Sequence, residues 1–571
     1  MVKIEINGQV VEAHEGDMLI DVADNAQISI PRFCYHKKLS IAANCRMCLV
    51  EVEGAPKALP SCATPVTDGM KVHTNSKKAV AAQKSVMEFL LINHPLDCPI
   101  CDQGGECELQ DVAMTYGDDV SRYSEAKRVV SNKNLGSLIH TDMTRCIHCT
   151  RCVRFGQEVA GMMELGATGR SEWMEIGTYI EKSVTSEMSG NMIDICPVGA
   201  LTSEPFRFSV RPWELTAHKS IAPHDSIGSN VILHVKNNEV KRVVPGENES
   251  INEVWISDRD RFSYESIHHQ DRLRFPMIKK KGKWLTVDWE EALAFAADKM
   301  SHYAKTNPNH VGVLASPNST LEELYLLQKL ARGLGVENMD CRLRQQDFSL
   351  DSTGIVAPKL NHSLPEVEGL DGFLLVGSYL RKELPLLNHR LRKAHLNGKS
   401  IAVVNPVVFD FNYDLAHQLI NANIIQSLKG LVKAAADLAG KNDQAWLKSV
   451  TSTPEQIALV KDLMAADSGA IMVGQIAQMD ANYSQIAILS QQLAQLTEST
   501  LSVLPLSANE VGAHLAGFVP NKGQNAQALI SGQTQAFINM GIEPEKDYQD
   551  GDLALKAMRG AECVINLTAF D

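Results

Sequence analysis

The sequence has no run approaching the roughly 20 consecutive apolar residues of a membrane-spanning helix, so any membrane attachment is expected to be indirect. Lys and Arg form no long basic block, and the formal net charge of −13 argues against nucleic acid as the main partner. The opening, MVKIEINGQVVEAHEGD, is a strand pattern, with neither the h-region of a secretory signal nor the Arg-rich pattern of a transit segment. A cytosolic, reducing location is therefore expected, where cysteines more often bind metals or serve catalysis than form disulfides. The chain lacks a repeat of fixed period, a low-complexity tract and a clear glycine-rich dinucleotide fingerprint. Cysteine is scarce beyond residue 196, where only Cys341 and Cys563 remain. Both are expected to be buried apolar residues.

The other eleven of the thirteen cysteines fall in three spaced groups. Cys34, Cys45, Cys48 and Cys62 make the first, Cys98, Cys101 and Cys107 the core of the second, and Cys146, Cys149, Cys152 and Cys196 the third. Thiolates at this density are soft ligands suited to iron–sulfur clusters or zinc. Zinc sites usually split their ligands two and two. The third group instead has a C-x2-C-x2-C run with a distant Cys196-Pro197, the bacterial ferredoxin pattern, and three ligands on one tight loop suit three corners of a cubane. The second group is one ligand short of four. His94 is the nearest candidate, with three residues between it and Cys98, and neutral imidazole is a competent iron ligand. His36, His140 and His148 also lie near cysteines but fill no vacant position, and they read as ordinary polar residues.

At 571 residues the chain is too long for one core, and 44% apolar with 22% charged residues describes ordinary globular domains. Residues 2–13 alternate around Asn7-Gly8, a hairpin signal. A short helix over Asp17 to Ala26 follows, and the arrangement resembles the β-grasp fold of plant-type ferredoxins, with ten rather than four residues between the first two cysteines. Lys77 to Asn93 has helical spacing and stops at His94-Pro95. Beyond residue 300, Val311 to Ala315, Phe373 to Val376, Ile401 to Val404, Ala470 to Val473 and Cys563 to Leu567 are short continuous apolar runs. Helical stretches such as LEELYLLQKLARGLG and YSQIAILSQQLAQL lie between most of them, which predicts α/β units on a parallel sheet.

HPLDCPICDQGGECELQD, with the flanking groups in this order, resembles the large iron–sulfur subunits of NADH:quinone oxidoreductase, respiratory complex I. VWISDRDRFSYE and GKWLTVDWEEAL resemble molybdopterin oxidoreductases. The resemblance implies a [2Fe–2S] cluster on Cys34, Cys45, Cys48 and Cys62. It implies one [4Fe–4S] cluster on His94, Cys98, Cys101 and Cys107 and another on Cys146, Cys149, Cys152 and Cys196. The fold class expected is multidomain α/β and α+β. Its parts are a 2Fe-2S ferredoxin-type β-grasp domain over 1–78, a His(Cys)3-ligated 4Fe-4S domain over 79–118 and a 4Fe-4S ferredoxin-like domain over 119–214. A degenerate 4Fe-4S domain of the molybdenum-enzyme type follows over 215–271, then a molybdopterin oxidoreductase-like α/β domain, truncated, over 272–571.

The implied activity is electron transfer from the flavin of a partner NADH-binding subunit toward quinone, through a downstream 4Fe-4S subunit. Proton translocation belongs to the whole complex, and no catalytic residue or substrate site of this chain's own is expected. Such a subunit sits peripherally on the cytoplasmic face of the bacterial inner membrane. Two departures mark the rest of the chain. APHDSIGSN places Ala222, Asp225 and Ser229 where a further cluster's thiolates would stand, so that cluster is expected to be absent. In DCRLRQQD, Arg344 falls where a molybdenum-ligating Cys or selenocysteine would be, so no molybdenum is expected. The main rival is the large subunit of an NAD-linked formate dehydrogenase, which would need that molybdenum site intact. An iron-only hydrogenase and a zinc-stabilised scaffold are the others. The terminal AECVINLTAFD suggests a shortened member or a fragment whose last strand is a sheet edge or lies near one, with either a helix or partner subunit over it or marginal order in the final segment.

Overall fold

The computed structural model describes residues 1–179, 182–442 and 444–570, without the side chain of Glu172. The chain divides into two compact units. The first comprises Met1–Lys219, Ile232–Val244 and Trp255–Arg261, and the second Ser220–Val231, Pro245–Val254 and Phe262–Asp571.

The first unit opens with a hairpin of β1 (Val2–Ile6) and β2 (Gln9–Ala13). Its turn puts Asn7 at φ +52° and Gly8 at φ +88°, the doubly left-handed pair that matches strand twist. Helix α1 (Leu19–Asn25) buries Leu19, Ile20, Val22 and Ala23. Strands β3 (Leu49–Val52), β4 (Leu59–Pro60) and β5 (Lys71–His73) complete a sheet of order β2-β1-β5-β3-β4. The β1–β5 pair at its centre is parallel and the others antiparallel. This is the expected β-grasp arrangement. Helix α2 (Lys77–Leu91) starts on Ser76, whose hydroxyl accepts from the Ala79 amide. Its buried Gln83 donates to the carbonyls of Leu49 (3.1 Å) and Thr74 (3.4 Å), fixing the helix on the sheet. Helices α3 (Glu108–Tyr116) and α4 (Arg151–Arg154) are short, and much of the chain from 92 to 190 is irregular.

The second unit is built on two parallel sheets where the sequence reading foresaw one. Strands β6 (Val311–Ala315), β7 (Met339–Asp340), β13 (Ala536–Met540) and β14 (Cys563–Leu567) form a sheet of order β7-β6-β13-β14. Strands β8 (Gly372–Val376), β9 (Ser400–Asn405), β10 (His417–Ile420), β11 (Gly469–Val473) and β12 (Thr500–Val503) form another, of order β10-β9-β8-β11-β12. The five apolar runs are all strands. β13 escaped notice because Asn539 interrupts its apolar pattern; that side chain is buried and donates to Asn566 on the neighbouring strand at 2.9 Å. β14 is an edge strand, as the sequence suggested.

Helices α7 (Ile424–Leu438) and α8 (Tyr483–Thr497) cover the five-stranded sheet, and Leu374, Val376, Leu428, Leu431, Ile486 and Leu493 share one core there. Helix α5 (Leu321–Gly333) begins in a capping box between Thr320 and Glu323. In helix α6 (Pro385–Leu396) even polar side chains are buried: His389 and Arg390 lie against Glu253, and Lys393 reaches the same carboxylate at 3.0 Å. Cys341 is buried in the core beneath the four-stranded sheet. Cys563, expected to be buried too, is only half-buried, on an edge strand with a strand neighbour on one side alone. Among the described residues, no helix is long and apolar enough to cross a membrane.

Candidate metal centres

All twelve residues singled out as ligands lie in the first unit. The first group occupies the long loop between α1 and β3, with Cys62 just after β4. Cys34, Cys48 and Cys62 are buried and Cys45 is half-buried. Cys34 interacts with Cys45 and Cys62, and Cys62 with Cys48, so the four side chains lie near one another. Hydrogen bonding from Cys45 and Cys62 holds Cys34 well below the ordinary thiol value, and Cys45 and Cys62 are pushed up in exchange. The Cys34 amide also donates to Cys45 Sγ at 3.4 Å. Ala43 (φ +52°) and Arg46 (φ +60°) bend the loop through left-handed backbone without glycine. Such conformations cost about 1–3 kcal/mol each and cluster at functional sites.

The second group lies between α2 and α3. Cys107 caps α3, Cys101 and Cys107 are buried, and Cys98 is exposed. Cys98 and Cys101 both act on Cys107 electrostatically, so the three thiols face one another. Burial pushes Cys107 up to about 11. His94 is half-buried just beyond α2, where burial, then the charges of Lys127 and Arg145, hold it down to about 4. Its ring is therefore neutral at physiological pH, the form that ligates a metal. Among the described residues no hydrogen bond joins His94 to a cysteine, and the charge of Asp97, next to Cys98 in sequence, acts on the ring. Gly199 is required here, because a Cβ at that position would collide with Cys101 Sγ.

The third group wraps the start of α4 and closes with Cys196. All four thiols interact electrostatically, and burial pushes Cys146, Cys149 and Cys196 up to about 12 and Cys152 higher still. His148 (φ +54°) and Thr150 (φ +60°) flank Cys149 in left-handed backbone, and the His148 amide donates to Cys146 Sγ at 3.4 Å. Because these thiols are neutral when free, metal binding must expel protons and is favoured as pH rises. Among the described residues, no three His, Cys, Asp or Glu side chains converge tightly enough to hold a single metal ion. A cluster does not require that, since four ligands shared over two or four irons leave each iron two or one.

His36 lies 5.7 Å from the Trp255 ring, His140 pairs with Glu204 at 2.7 Å, and His148 contacts Arg128 at 3.2 Å. In the second unit, Ala222, Asp225 and Ser229 are buried. Their loop is closed by the Ala222 amide donating to the Ser229 carbonyl (2.9 Å) and the Ile227 amide donating to Asp225 (3.0 Å), with no thiol present. Arg344 is exposed and donates to the Lys546 carbonyl.

The sequence reading passed over three buried arginines, Arg145, Arg151 and Arg154. The signal was available, since they are interleaved with the cysteines of RCIHCTRCVRF. Arg145 binds Asp97 (3.0 Å) and Asp142 (2.8 Å). Arg151 grips Glu108 through both nitrogens (2.8 and 3.0 Å) and also donates to the carbonyls of Tyr35 and Ile195. It thus joins segments adjoining Cys34, Cys107 and Cys196.

Five family models match in sequence order. They are a 2Fe-2S iron-sulfur cluster binding domain (residues 1–77), the NADH-ubiquinone oxidoreductase-G iron-sulfur binding region (83–122) and the NADH-quinone oxidoreductase subunit 3 ferredoxin-like domain (136–202). The NDSU1/NuoG-like 4Fe-4S domain (215–265) and molybdopterin oxidoreductase (272–570) follow. The NADH-quinone oxidoreductase G subunit of Rickettsia felis is 47% identical over 68% of this chain and 57% of its own length. The NADH-ubiquinone oxidoreductase 75 kDa subunit of Reclinomonas americana is 46% identical over 71% and 60%, and the mitochondrial NADH dehydrogenase [ubiquinone] iron-sulfur protein 1 of Solanum tuberosum 47% over 73% and 56%. The chain belongs to the molybdopterin oxidoreductase family, and the relatives it is similar to carry the names of the G subunit of NADH-quinone oxidoreductase and the 75 kDa subunit of NADH-ubiquinone oxidoreductase. Its matches span 56–60% of the length of these relatives. The part that the molybdopterin oxidoreductase model matches contains only Cys341 and Cys563, so the large α/β region keeps the family's fold with little thiol chemistry.

Proposed function

We propose that this chain is an electron-transfer subunit of an NADH:quinone oxidoreductase. In this reading Cys34, Cys45, Cys48 and Cys62 hold a [2Fe–2S] cluster. His94, Cys98, Cys101 and Cys107 hold one [4Fe–4S] cluster, and Cys146, Cys149, Cys152 and Cys196 hold a second. The observation that supports it is the placement of the eleven spaced cysteines and His94 in one compact unit, with backbone amides directed at two of the sulfurs. When bound, such clusters accept and release single electrons. The protein's part is to hold them, exclude water and set potentials through hydrogen bonds and charge. Electrons would enter from the flavin of an NADH-binding partner and leave through a further 4Fe-4S subunit toward quinone, with proton translocation by the whole complex. The chain would sit peripherally on the cytoplasmic face of a bacterial inner membrane, held through those partners. No substrate site and no molybdenum belong to it.

Anaerobically purified protein should contain about ten irons with matching sulfide, two, four and four over the three sites. Stoichiometric zinc, or iron near about fourteen, would overturn the count. His94→Ala should remove one cluster signal from the electron paramagnetic resonance spectrum and leave two; three unchanged signals would reject His94 as a ligand.

A further inference from the structure

Arg154 is 7% exposed, and its guanidinium ends on backbone carbonyls from two different ligand loops. Nη2 donates to the carbonyl of Cys34 at 2.5 Å and to that of Cys149 at 3.3 Å, and Nη1 donates to the carbonyl of Ser40. Nε reaches the Thr150 hydroxyl at 3.3 Å. One cation thus touches a backbone carbonyl of a proposed ligand from the first group and another from the third.

Its charge balance differs from that of its neighbours. Arg145 and Arg151 each bind carboxylates directly. Arg154 receives only carbonyls and a hydroxyl. Among the described residues no carboxylate stands within ion-pair distance of it. Glu158, one turn on, instead accepts from the amide (2.7 Å) and hydroxyl (2.5 Å) of Ser40. Burying a cation without an anionic partner is expensive, because neutral dipoles replace only part of its hydration. Such a group is retained where a negative charge outside the side-chain inventory balances it. A thiolate-ligated iron–sulfur cluster carries net negative charge and gains one more on reduction.

We infer that Arg154 is a counter-charge shared by the first and third cluster sites, favouring the reduced form of both and tying their potentials together. This rests on the electron-transfer reading above. A buried positive charge lowers the energy of each added electron, and low local polarisability strengthens the effect. Arg151, already neutralised by Glu108, holds the loops together without supplying the same field.

The test is a potentiometric titration of the full chain, assembled with its clusters and followed by electron paramagnetic resonance. Arg154→Met should shift the midpoints of the first and third sites to lower potential together and leave the second where it was. Arg154→Lys, which keeps the charge but loses the fork, should restore most of both shifts. A shift at one site only, at none, or equally at all three would overturn the inference, as would a lysine that restores nothing. If Arg154→Met and Arg154→Gln both lose the first and third clusters, Arg154→Lys decides: retention of both supports the counter-charge, and their loss means that geometry alone matters. Wild-type protein devoid of iron would overturn the electron-transfer reading and this inference with it. Iron-loaded wild type with an unmoved Arg154→Met variant overturns this inference alone.

Discussion

The two units solve the problem of holding a chain together in different ways. The second buries β6, β8 and β11 completely, each flanked by parallel neighbours and packed into continuous apolar cores. The first has an apolar core of that kind around the β-grasp sheet. From residue 92 to 190 buried apolar side chains such as Leu109, Met143 and Phe155 are accompanied by arginine forks and carboxylates that join the loops. Hydrophobic burial is non-directional and tolerates many sequences, whereas polar joints succeed only when every partner is present. The first unit is therefore the one whose order should depend on metal.

Removing iron is the largest perturbation of this contrast. Metal binding contributes on the order of 10 kcal/mol at a four-ligand structural site. Calorimetry of protein stripped with an anaerobic chelator should show the first unit's transition lowered or lost and the second unit's in place. Equal loss of both would erase the distinction. The reverse experiment targets the second unit. Leu374 is fully buried in β8, and Leu374→Ala should cost about 2–5 kcal/mol, measured by urea denaturation, with cluster spectra unchanged.

A pH series sharpens the comparison further. Burial, aided by the negative charge of Asp340, pushes the Glu510 carboxyl up from 4.5 to about 7, against a hydrogen bond from the Leu506 amide and the charge of Arg342. The folded state thus prefers the neutral acid. Its stabilisation is complete below the ordinary carboxylate value near 4.5 and is lost as pH rises through about 7, a change of about 3 kcal/mol. Glu510→Gln should flatten this slope in the second unit's unfolding between pH 5 and 8. The smallest effect expected is at the capping box: Thr320→Ala should cost about 1 kcal/mol and touch no cluster signal. A cluster signal lost in that variant would mean that the first unit leans on the second.

What could be read beforehand followed the same divide. The apolar runs of the second unit announced their strands because burial on both faces leaves an unbroken pattern. AFINM was hidden by Asn539, whose side-chain nitrogen finds a partner in Asn566, 27 positions away. The division into two sheets depends on which strands pair, and spacing along the chain does not encode that. In the first unit the ligand types and spacings were legible, since thiol chemistry fixes both. The interleaving of Arg151 and Arg154 with the cysteines was visible, but not the segments they join, because those contacts include backbone carbonyls of Cys34, Tyr35 and Ile195, which any residue type offers.

The amides of Cys34 and His148, which point at the sulfurs of Cys45 and Cys146, bear on speed as well as on potential. An electron moving between sites in water must wait for solvent dipoles to turn. Here the dipoles belong to a backbone pinned by left-handed residues at Ala43, Arg46, His148 and Thr150. They are oriented before any charge arrives and have little room to turn afterwards, so the environment is already arranged for the reduced state. Under the electron-transfer reading, these loops act as a frozen solvent with a small reorganisation energy, and backbone strain becomes the means by which the chain keeps transfer fast in both directions.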